Sequence, residues 1–259
     1  MGAGVLSTSG SASTTERVGR GGRARRSLAG LGGGSYLALV AWVAGAAGCR
    51  RAPLPLAPDA AGFALVSAEE FAAAAAPTLP RGSELLALRW RFRDATSSVS
   101  GRGAVRESPP DSLRIDVRGP LGFGRATLVV AGGDAWADPE DLVRQVLPRR
   151  FLIWAMLGVV QAPEAALRYE AGDAGARRLV RVAEPDGVAT TFELRGDTLA
   201  AVVQVRGDRV VGRLTLVRDA RGGLVRADAE DLERNARLSF DIQSRTPSGA
   251  FPAEVWRRP

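Results

Sequence analysis

The sequence predicts a mainly β fold: a strongly bent antiparallel sheet with one helix before it and a pair of helices inserted midway. Two observations carry this prediction. From Glu84 onward, short segments alternate apolar and polar residues with a period of two, which is typical of half-buried strands. Turn-forming Gly, Asp and Pro residues separate these segments at regular spacing, which favours a meander of about nine to eleven strands.

The first folded element is a helix that begins after Ser67. Ser67 at the N-cap and Glu70 three residues later form a capping box, and an alanine-rich run follows. Pro77 and Pro80 end the helix. We interpret Glu69 and Glu70 as favourable charges at the N-terminal end of the helix dipole rather than as catalytic groups.

The alternation within the first strands indicates which residues face the core. In LLALRWRFR, the apolar residues point to one face and the arginines between them point to the other. The inward residues are Leu86, Leu88, Trp90 and Phe92. SLRIDVR alternates in the same way and turns Ile115 inward. Strand-like segments separated by turns such as EPDG, RGD and ARGG fill the C-terminal third.

A helical pair interrupts the sheet. In WADPEDLVRQVLP, Asp138 is the predicted N-cap and Pro139 the first helical residue. The apolar face of this helix would consist of Leu142, Val143, Val146 and Leu147. RRFLIWAMLG then supplies a second helix or a buried segment that carries Trp154 and Leu157.

The N-terminus resembles an export signal. A basic segment, RVGRGGRARRSL, precedes an apolar run that ends at Cys49 and is short for a membrane span. The small residues directly before Cys49 resemble a bacterial lipobox, and a sole cysteine fits acylation better than a disulfide. We predict a lipoprotein signal peptide at 1–48, lipidation of Cys49, a proline-rich tether at 49–66 and a domain at 67–259. An ordinary signal peptide or an N-terminal anchor helix is the alternative.

The absence of histidine narrows the chemistry. Without it, Ser-His-Asp and Cys-His catalysis and most zinc and iron sites are excluded. Two acidic sets could in principle act on glycosides; they are Asp138, Glu140 and Asp141, and Asp228, Glu230 and Asp231. A helix start explains the first set, and nothing in the sequence makes the second converge. We therefore predict no enzyme activity, no cofactor and no metal site.

The charge of the chain does not by itself indicate a nucleic-acid partner. The formal net charge is +7, and every one of the 35 basic residues is arginine, which indicates biased codon usage. Beyond residue 48 the arginines occur singly or in adjacent pairs, interleaved with acidic residues. Because no clustered basic face is visible in the sequence, we expect no nucleic-acid binding.

RIDVRGPLGFGRATLVV contains a glycine-rich stretch between two predicted strands. A phosphate-binding loop would need a helix after it and loop amides directed at the phosphate, whereas a strand follows here. We interpret Gly119, Gly122 and Gly124 as parts of a tight turn that frames Leu121.

The Pro120-Leu121-Gly122 turn between strands, followed by a Trp, a helix and LPRRFLIWAMLG, resembles the LolB side of the LolA/LolB lipoprotein-carrier superfamily. The lipobox adds to the resemblance, which covers about residues 67–245 in layout and the segments 113–131 and 136–163 in motif. It implies an incomplete antiparallel barrel with a helical lid and an acyl-binding cavity. It also implies a lipid anchor in the bacterial outer membrane, facing the periplasm. In the receptor family the leucine of this loop protrudes and helps to pass acylated cargo into the bilayer, a role that falls on Leu121 here.

A cavity for acyl chains needs apolar walls and no special polar chemistry, because each buried methylene contributes about 0.8 kcal/mol. The candidate lining residues are Trp90, Phe92, Ile115, Trp136, Val146, Trp154 and Leu157. The expected partners are the membrane, a lipid or acylated-protein cargo, and a periplasmic carrier. The alternative is a structural or assembly lipoprotein of the same fold whose barrel is filled by its own side chains.

Overall fold

A computed structural model describes residues 62–120, 124–132, 134–139, 151–163 and 166–257. Within these residues one antiparallel sheet of thirteen strands runs in the order β1-β7-β8-β9-β10-β11-β12-β13-β2-β3-β4-β5-β6. The strands are β1 Ala64–Val66, β2 Glu84–Arg93, β3 Ser98–Ser108, β4 Ser112–Arg118, β5 Arg125–Ala131, β6 Asp134–Asp138, β7 Arg168–Ala174, β8 Arg177–Ala183, β9 Val188–Arg195, β10 Thr198–Arg206, β11 Arg209–Arg218, β12 Leu224–Asp231 and β13 Ala236–Pro247. The sheet is not closed, because β1 and β6 stand at opposite ends of this order.

The predicted fold class, an incomplete antiparallel barrel with helices, is confirmed. The described residues contain more strands than the nine to eleven expected, because the strands at both edges are short. β1 has three residues and β6 has five, which is too few for a clear alternation of apolar and polar residues.

Two meanders build the sheet, and one non-sequential pair joins them. The first meander runs from β2 to β6 and the second from β7 to β13, each strand pairing with the next. The last strand, β13, then pairs with β2 along its length. Both RGD segments form hairpin turns as expected, since Gly196 and Gly207 adopt φ of +57° and +62° between their strands.

Helix α1 spans Ala68–Ala75 and has the predicted capping box. The Glu70 N–H donates to Ser67 Oγ over 3.1 Å, and the Ser67 N–H donates to Glu70 Oε2 over 2.7 Å. A 3₁₀ turn at Ala76–Thr78, which contains Pro77, ends the helix. A second helix, α2, spans Phe151–Met156, and another 3₁₀ turn lies at Ala253–Trp256.

Asp138, the predicted N-cap of the first helix of the pair, is the last residue of β6 and pairs with Thr127. Residues 140–150 lie outside the described residues, as do the predicted signal peptide and Cys49. Val146 and Leu121 fall outside them as well. No helix in the described part of the chain has the length and apolar character needed to cross a bilayer.

The core lies on one face of the sheet, called here the inner face, and α1 and α2 pack against it. A chain of aromatic rings crosses this space from Tyr169 through Phe71 and Phe192 to Phe151, with centroid separations of 5.0, 6.3 and 6.3 Å. Such tilted and edge-to-face contacts add to the free energy gained from burial. This aromatic cluster fills the part of the inner face that the helices cover.

Candidate functional site

A cavity of about 600 Å³ lies beside the aromatic cluster, between Leu152 of α2 and the inner face of strands β10 to β13 and β2. Its apolar walls are formed by Phe92, Leu152, Val202, Val211, Leu214, Ala229 and Leu238. The volume falls in the range of sites that bind small molecules.

One cross-strand row explains why the cavity exists. Direct register partners run from Phe192 through Val202, Leu214, Ala229 and Leu238 to Phe92. Because strand side chains alternate between faces, all of these residues point to the inner face. Ala229 has the smallest side chain of the row and stands between two leucines, so the row leaves space at this position.

A polar group also lines the cavity wall. Gln204 is buried, and its Nε2 donates to Thr190 Oγ1 over 3.1 Å. Thr190 Oγ1 in turn donates to Glu184 Oε1 over 3.2 Å. Gly212 stands opposite Gln204, where a Cβ would come within 2.6 Å of Gln204 Oε1. The glycine therefore leaves room for an amide that is held in a fixed orientation.

Charged residues surround the mouth of the cavity. Arg206 bonds Glu233 and lies 3.7 Å from Asp186, and Arg237 lies 3.4 Å from Glu230. All of these residues line the cavity at its opening. Partly exposed pairs of this kind contribute about 0–1 kcal/mol each to stability. They make the rim polar, while the interior is apolar apart from Gln204.

Among the predicted lining residues, Phe92 lines the cavity. Its neighbour Trp90 lies on the same face, half-buried, and its Nε1 donates to the Arg118 carbonyl over 3.2 Å. This crossing requires Gly101, because a Cβ there would stand 1.8 Å from the same carbonyl oxygen. Trp90 therefore packs across the neighbouring strands beside the cavity.

The remaining candidates lie elsewhere. Ile115, Trp154 and Leu157 are buried in the core and do not line the cavity. Trp136 lies on the opposite face of the sheet, because it pairs with Val129 and not with the inward residues of β5. Its Nε1 donates to the Trp256 carbonyl over 3.5 Å, so the C-terminal segment contacts it there. Trp136 therefore does not line the cavity as predicted.

The glycine-rich turn is described only at its base, and Leu121 lies outside the described residues. The Gly119 N–H donates to the Gly124 carbonyl over 2.9 Å, and Gly124 adopts φ of +71°. Gly124 thus supplies a left-handed conformation that other residues rarely adopt. These contacts agree with a turn that joins β4 and β5.

The second acidic set does not converge on the cavity floor. Asp228 lies on the outer face, opposite the inward Ala227 and Ala229. Burial alone would raise the pKa of Asp228, but hydrogen bonds from Arg226 and Ser239 and the nearby Arg237 charge lower it to about 2. A carboxylate held ionised in this way serves as a structural anchor rather than as a general acid.

A buried carboxyl group that the sequence did not single out lies on the inner face. Glu107 is 1% exposed, and neither of its oxygens accepts a hydrogen bond in the described residues. Burial raises its pKa to about 8; Arg245, 3.9 Å away, opposes the rise, and Glu84 adds to it. Arg245 lies closer to Glu84, at 3.0 Å. No group of three or more potential metal-ligating side chains occurs in the described ranges.

The fold and the cavity together define the structural class of the protein. It is an open antiparallel barrel whose apolar cavity lies between the inner face of the sheet and helix α2. The chain has the fold of the LolA superfamily. A LolA superfamily protein from Nitrosomonas europaea superposes with a TM-score of 0.51 at 12% identity, covering 74% of this chain and 98% of that protein.

Two further solved structures are similar at lower scores. A domain named for outer membrane lipoprotein sorting, from Vibrio parahaemolyticus, gives a TM-score of 0.47 at 10% identity and covers 73% of this chain and 94% of its own. A DUF1329 family protein from Desulfovibrio piger gives 0.44 at 8% identity, covering 73% and 95%. No protein-family model matches the sequence, and the search of curated proteins gives no match either.

Proposed function

We propose that this protein binds an acyl chain, or a ligand of similar apolar character, in its inner-face cavity without covalent chemistry. The observation that carries the proposal is the cavity itself, about 600 Å³ with apolar walls and a charged rim. Burial of ten methylenes would contribute about 8 kcal/mol before the costs of association are subtracted. Gln204 can hydrogen-bond an ester or carboxyl group that follows the chain into the cavity.

The proposal includes a location. Acylation of Cys49 would tether the domain, through the proline-rich segment, to the outer membrane with the cavity facing the periplasm. Leu121 is then the residue of the glycine-rich turn that contacts cargo or bilayer during transfer. The lipobox-like sequence and the LolA-superfamily fold support this part of the proposal.

The second candidate is a structural or assembly lipoprotein with a filled barrel. The observation that favours it is the aromatic cluster of Phe71, Phe151, Phe192 and Tyr169, which occupies the inner face beside the cavity. A protein of this kind would bind no acyl probe.

Displacement of a fluorescent fatty acid distinguishes the two candidates. The full chain carrying Cys49→Ser, which cannot be acylated, is compared with the same chain carrying Ala229→Phe. The added ring fills the space between Leu214 and Leu238, and we expect probe affinity to fall about tenfold or more. Ala87→Phe, on the exposed outer face of β2, is the matched control and should bind the probe normally.

Two results would contradict the acyl-binding proposal. Equal probe affinity in the Ala229→Phe and Ala87→Phe variants would mean that the probe binds outside the cavity. Absence of probe binding, together with native mass spectra free of lipid, would favour the filled barrel.

A further inference from the structure

Six exposed arginines gather on the outer face of four adjacent strands, β2 to β5. In the sequence three of them alternate within RWRFR and the other three stand apart, and antiparallel register brings all six together. Arg89, Arg102, Arg118 and Arg125 are direct partners in one row across the four strands. Two more arginines continue the face along β2. The six, called here the arginine face, are Arg89, Arg91, Arg93, Arg102, Arg118 and Arg125.

Within the part of the chain that the structure describes, no acidic side chain pairs with the arginine face. Among the described residues, none of the six forms an ion pair with a carboxylate or a side-chain hydrogen bond. Asp241, the register partner of Arg89, lies 3.3 Å from Arg226 instead. Asp116, the nearest acid of β4, is bound by Arg106 and Arg114. The acids of this surface are thus engaged by other arginines.

The arrangement leaves charge repulsion in the folded state. Like charges directly opposite each other on neighbouring strands are destabilising, and the row contains three such pairs in succession. Strands lie about 4.8 Å apart and residues rise about 3.3 Å along them. The face therefore spans about 15 Å across the strands and about 13 Å along β2. An anionic partner of at least that extent would remove the repulsion.

The face has the features of a bilayer-binding surface. Ser98 and Ser100 are the register partners of Arg93 and Arg91 and place hydroxyl groups among the guanidinium groups. Guanidinium and hydroxyl groups are suited to phosphate oxygens. Trp90 and Phe92 point inward, and Trp136, on the outer face of β6, is half-buried and donates to the Trp256 carbonyl, so the described residues leave no exposed aromatic ring among these arginines. Base stacking, on which single-stranded nucleic-acid binding depends, therefore has no platform here.

We infer that the arginine face docks the domain onto a membrane leaflet that contains anionic phospholipid. The inference rests on the envelope location in the proposed function but not on the ligand of the cavity. The strand ends that carry Arg93, Arg118 and Arg125 lie at the same end of the sheet as Phe92 and the rim residue Asp231. Docking through this face would bring the cavity mouth close to the lipid surface.

Vesicle co-sedimentation tests the inference with the full chain carrying Cys49→Ser. Vesicles of phosphatidylcholine alone are compared with vesicles that also contain phosphatidylglycerol. In this background Arg89→Gln, Arg102→Gln and Arg118→Gln are combined. Each arginine near an anionic leaflet contributes about 1 kcal/mol, so the triple variant should bind the anionic vesicles about 100-fold more weakly. Binding of the parent chain should also fall as salt is added.

A second triple variant controls for net charge. Arg81→Gln, Arg178→Gln and Arg221→Gln remove the same charge from exposed arginines outside the face. This variant should keep its affinity for the anionic vesicles within about threefold of the parent. Thermal unfolding should show that the face variant folds with an unchanged or higher midpoint, because repulsion between strands is removed.

Three outcomes would overturn the inference. Equal loss of binding in both triple variants would attribute the binding to overall charge. Equal binding to both vesicle types would attribute it to the apolar N-terminal segment. Tighter binding of the parent chain to a DNA duplex than to anionic vesicles, lost in the face variant, would assign the face to nucleic acid. Failure of fatty-acid binding alone would contradict the cavity proposal and leave this inference intact.

Discussion

Two phenylalanines in one cross-strand row have opposite surroundings. Phe192 is fully buried, and the rings of Phe71 and Phe151 contact it. Phe92, at the other end of the row, is half-buried and faces the cavity. The same sheet therefore has a filled region under the helices and an open region beside it. The difference teaches that stability and binding depend on separate parts of one continuous inner face.

The largest expected effect comes from truncating the two rings. Phe192→Ala removes a fully buried side chain from the aromatic cluster and should lower the free energy of unfolding by about 3–5 kcal/mol. Phe92→Ala should cost less, about 1–2 kcal/mol, because its ring is partly exposed before the change. Urea unfolding measures both. Equal costs would mean that the open region is packed as tightly as the filled one.

Binding should show the reverse order in the same two variants. Phe92→Ala removes a wall of the cavity and should weaken binding of a fluorescent fatty acid about tenfold. Phe192→Ala, measured where the variant is still folded, should change probe affinity less. Displacement titration checks this, and a stronger loss in Phe192→Ala would place the probe in the aromatic cluster.

The buried Glu107 should make stability depend on pH. Its pKa is raised from 4.5 to about 8 by burial, with Arg245 opposing and Glu84 adding to the rise. Below pH 4.5 both folded and unfolded chains hold the proton; between pH 4.5 and 8 only the folded chain does. Stability therefore falls as pH rises through this interval, by an amount on the order of a few kcal/mol.

Glu107→Gln should remove that slope, because the amide is neutral at every pH and resembles the protonated acid. Unfolding free energies measured at several pH values test this. Glu233→Gln, at the exposed cavity rim, is the matched control and should keep the slope. A slope that persists in Glu107→Gln would mean that the carboxyl is ionised in the folded protein.

Asp228 should respond in the opposite direction. Burial would raise its pKa, but Arg226, Ser239 and Arg237 lower it from 3.8 to about 2. Its stabilisation is present above pH 3.8 and is lost as pH falls through 2. Asp228→Asn should cost about 2 kcal/mol at pH 7 and leave fatty-acid binding unchanged. Loss of fatty-acid binding in this variant would mean that Asp228, on the outer face, also maintains the shape of the cavity.

The smallest effect is expected at the rim. Arg206→Gln removes a partly exposed ion-pair partner of Glu233 and Asp186, and it should change unfolding free energy by less than about 1 kcal/mol. Thermal unfolding at low and high salt measures this change in stability. A larger cost would mean that the rim contributes to stability as the filled region does.

Local sequence signals predicted the fold well where the feature depended on a single strand or a single helix cap. The alternation in β2 placed Leu86, Leu88 and Phe92 on the inner face, and Ser67 with Glu70 marked the start of α1. Trp136 was expected to line the cavity, but its pairing with Val129 puts it on the outer face, and the five residues of β6 show too little alternation to reveal this register.

The cavity and the arginine face could not be predicted in the same way. Each depends on which strands are neighbours in the sheet, and a short stretch of sequence does not show which strands pair. Ala229 is one alanine among many until register sets it between Leu214 and Leu238. Arg89 and Arg118 lie far apart in the chain, and only two successive strand pairings place them on one row.

The pairing of β13 with β2 affects how the chain can fold while it is being synthesised. These strands occupy residues 236–247 and 84–93, so the centre of the sheet forms from contacts that are distant in the chain. Contacts of this kind slow folding, because a long loop must close before they form. A nascent chain that still lacks β13 would present two unpaired strand edges, on β2 and β12. Such a chain depends on its last strand to protect both halves from aggregation.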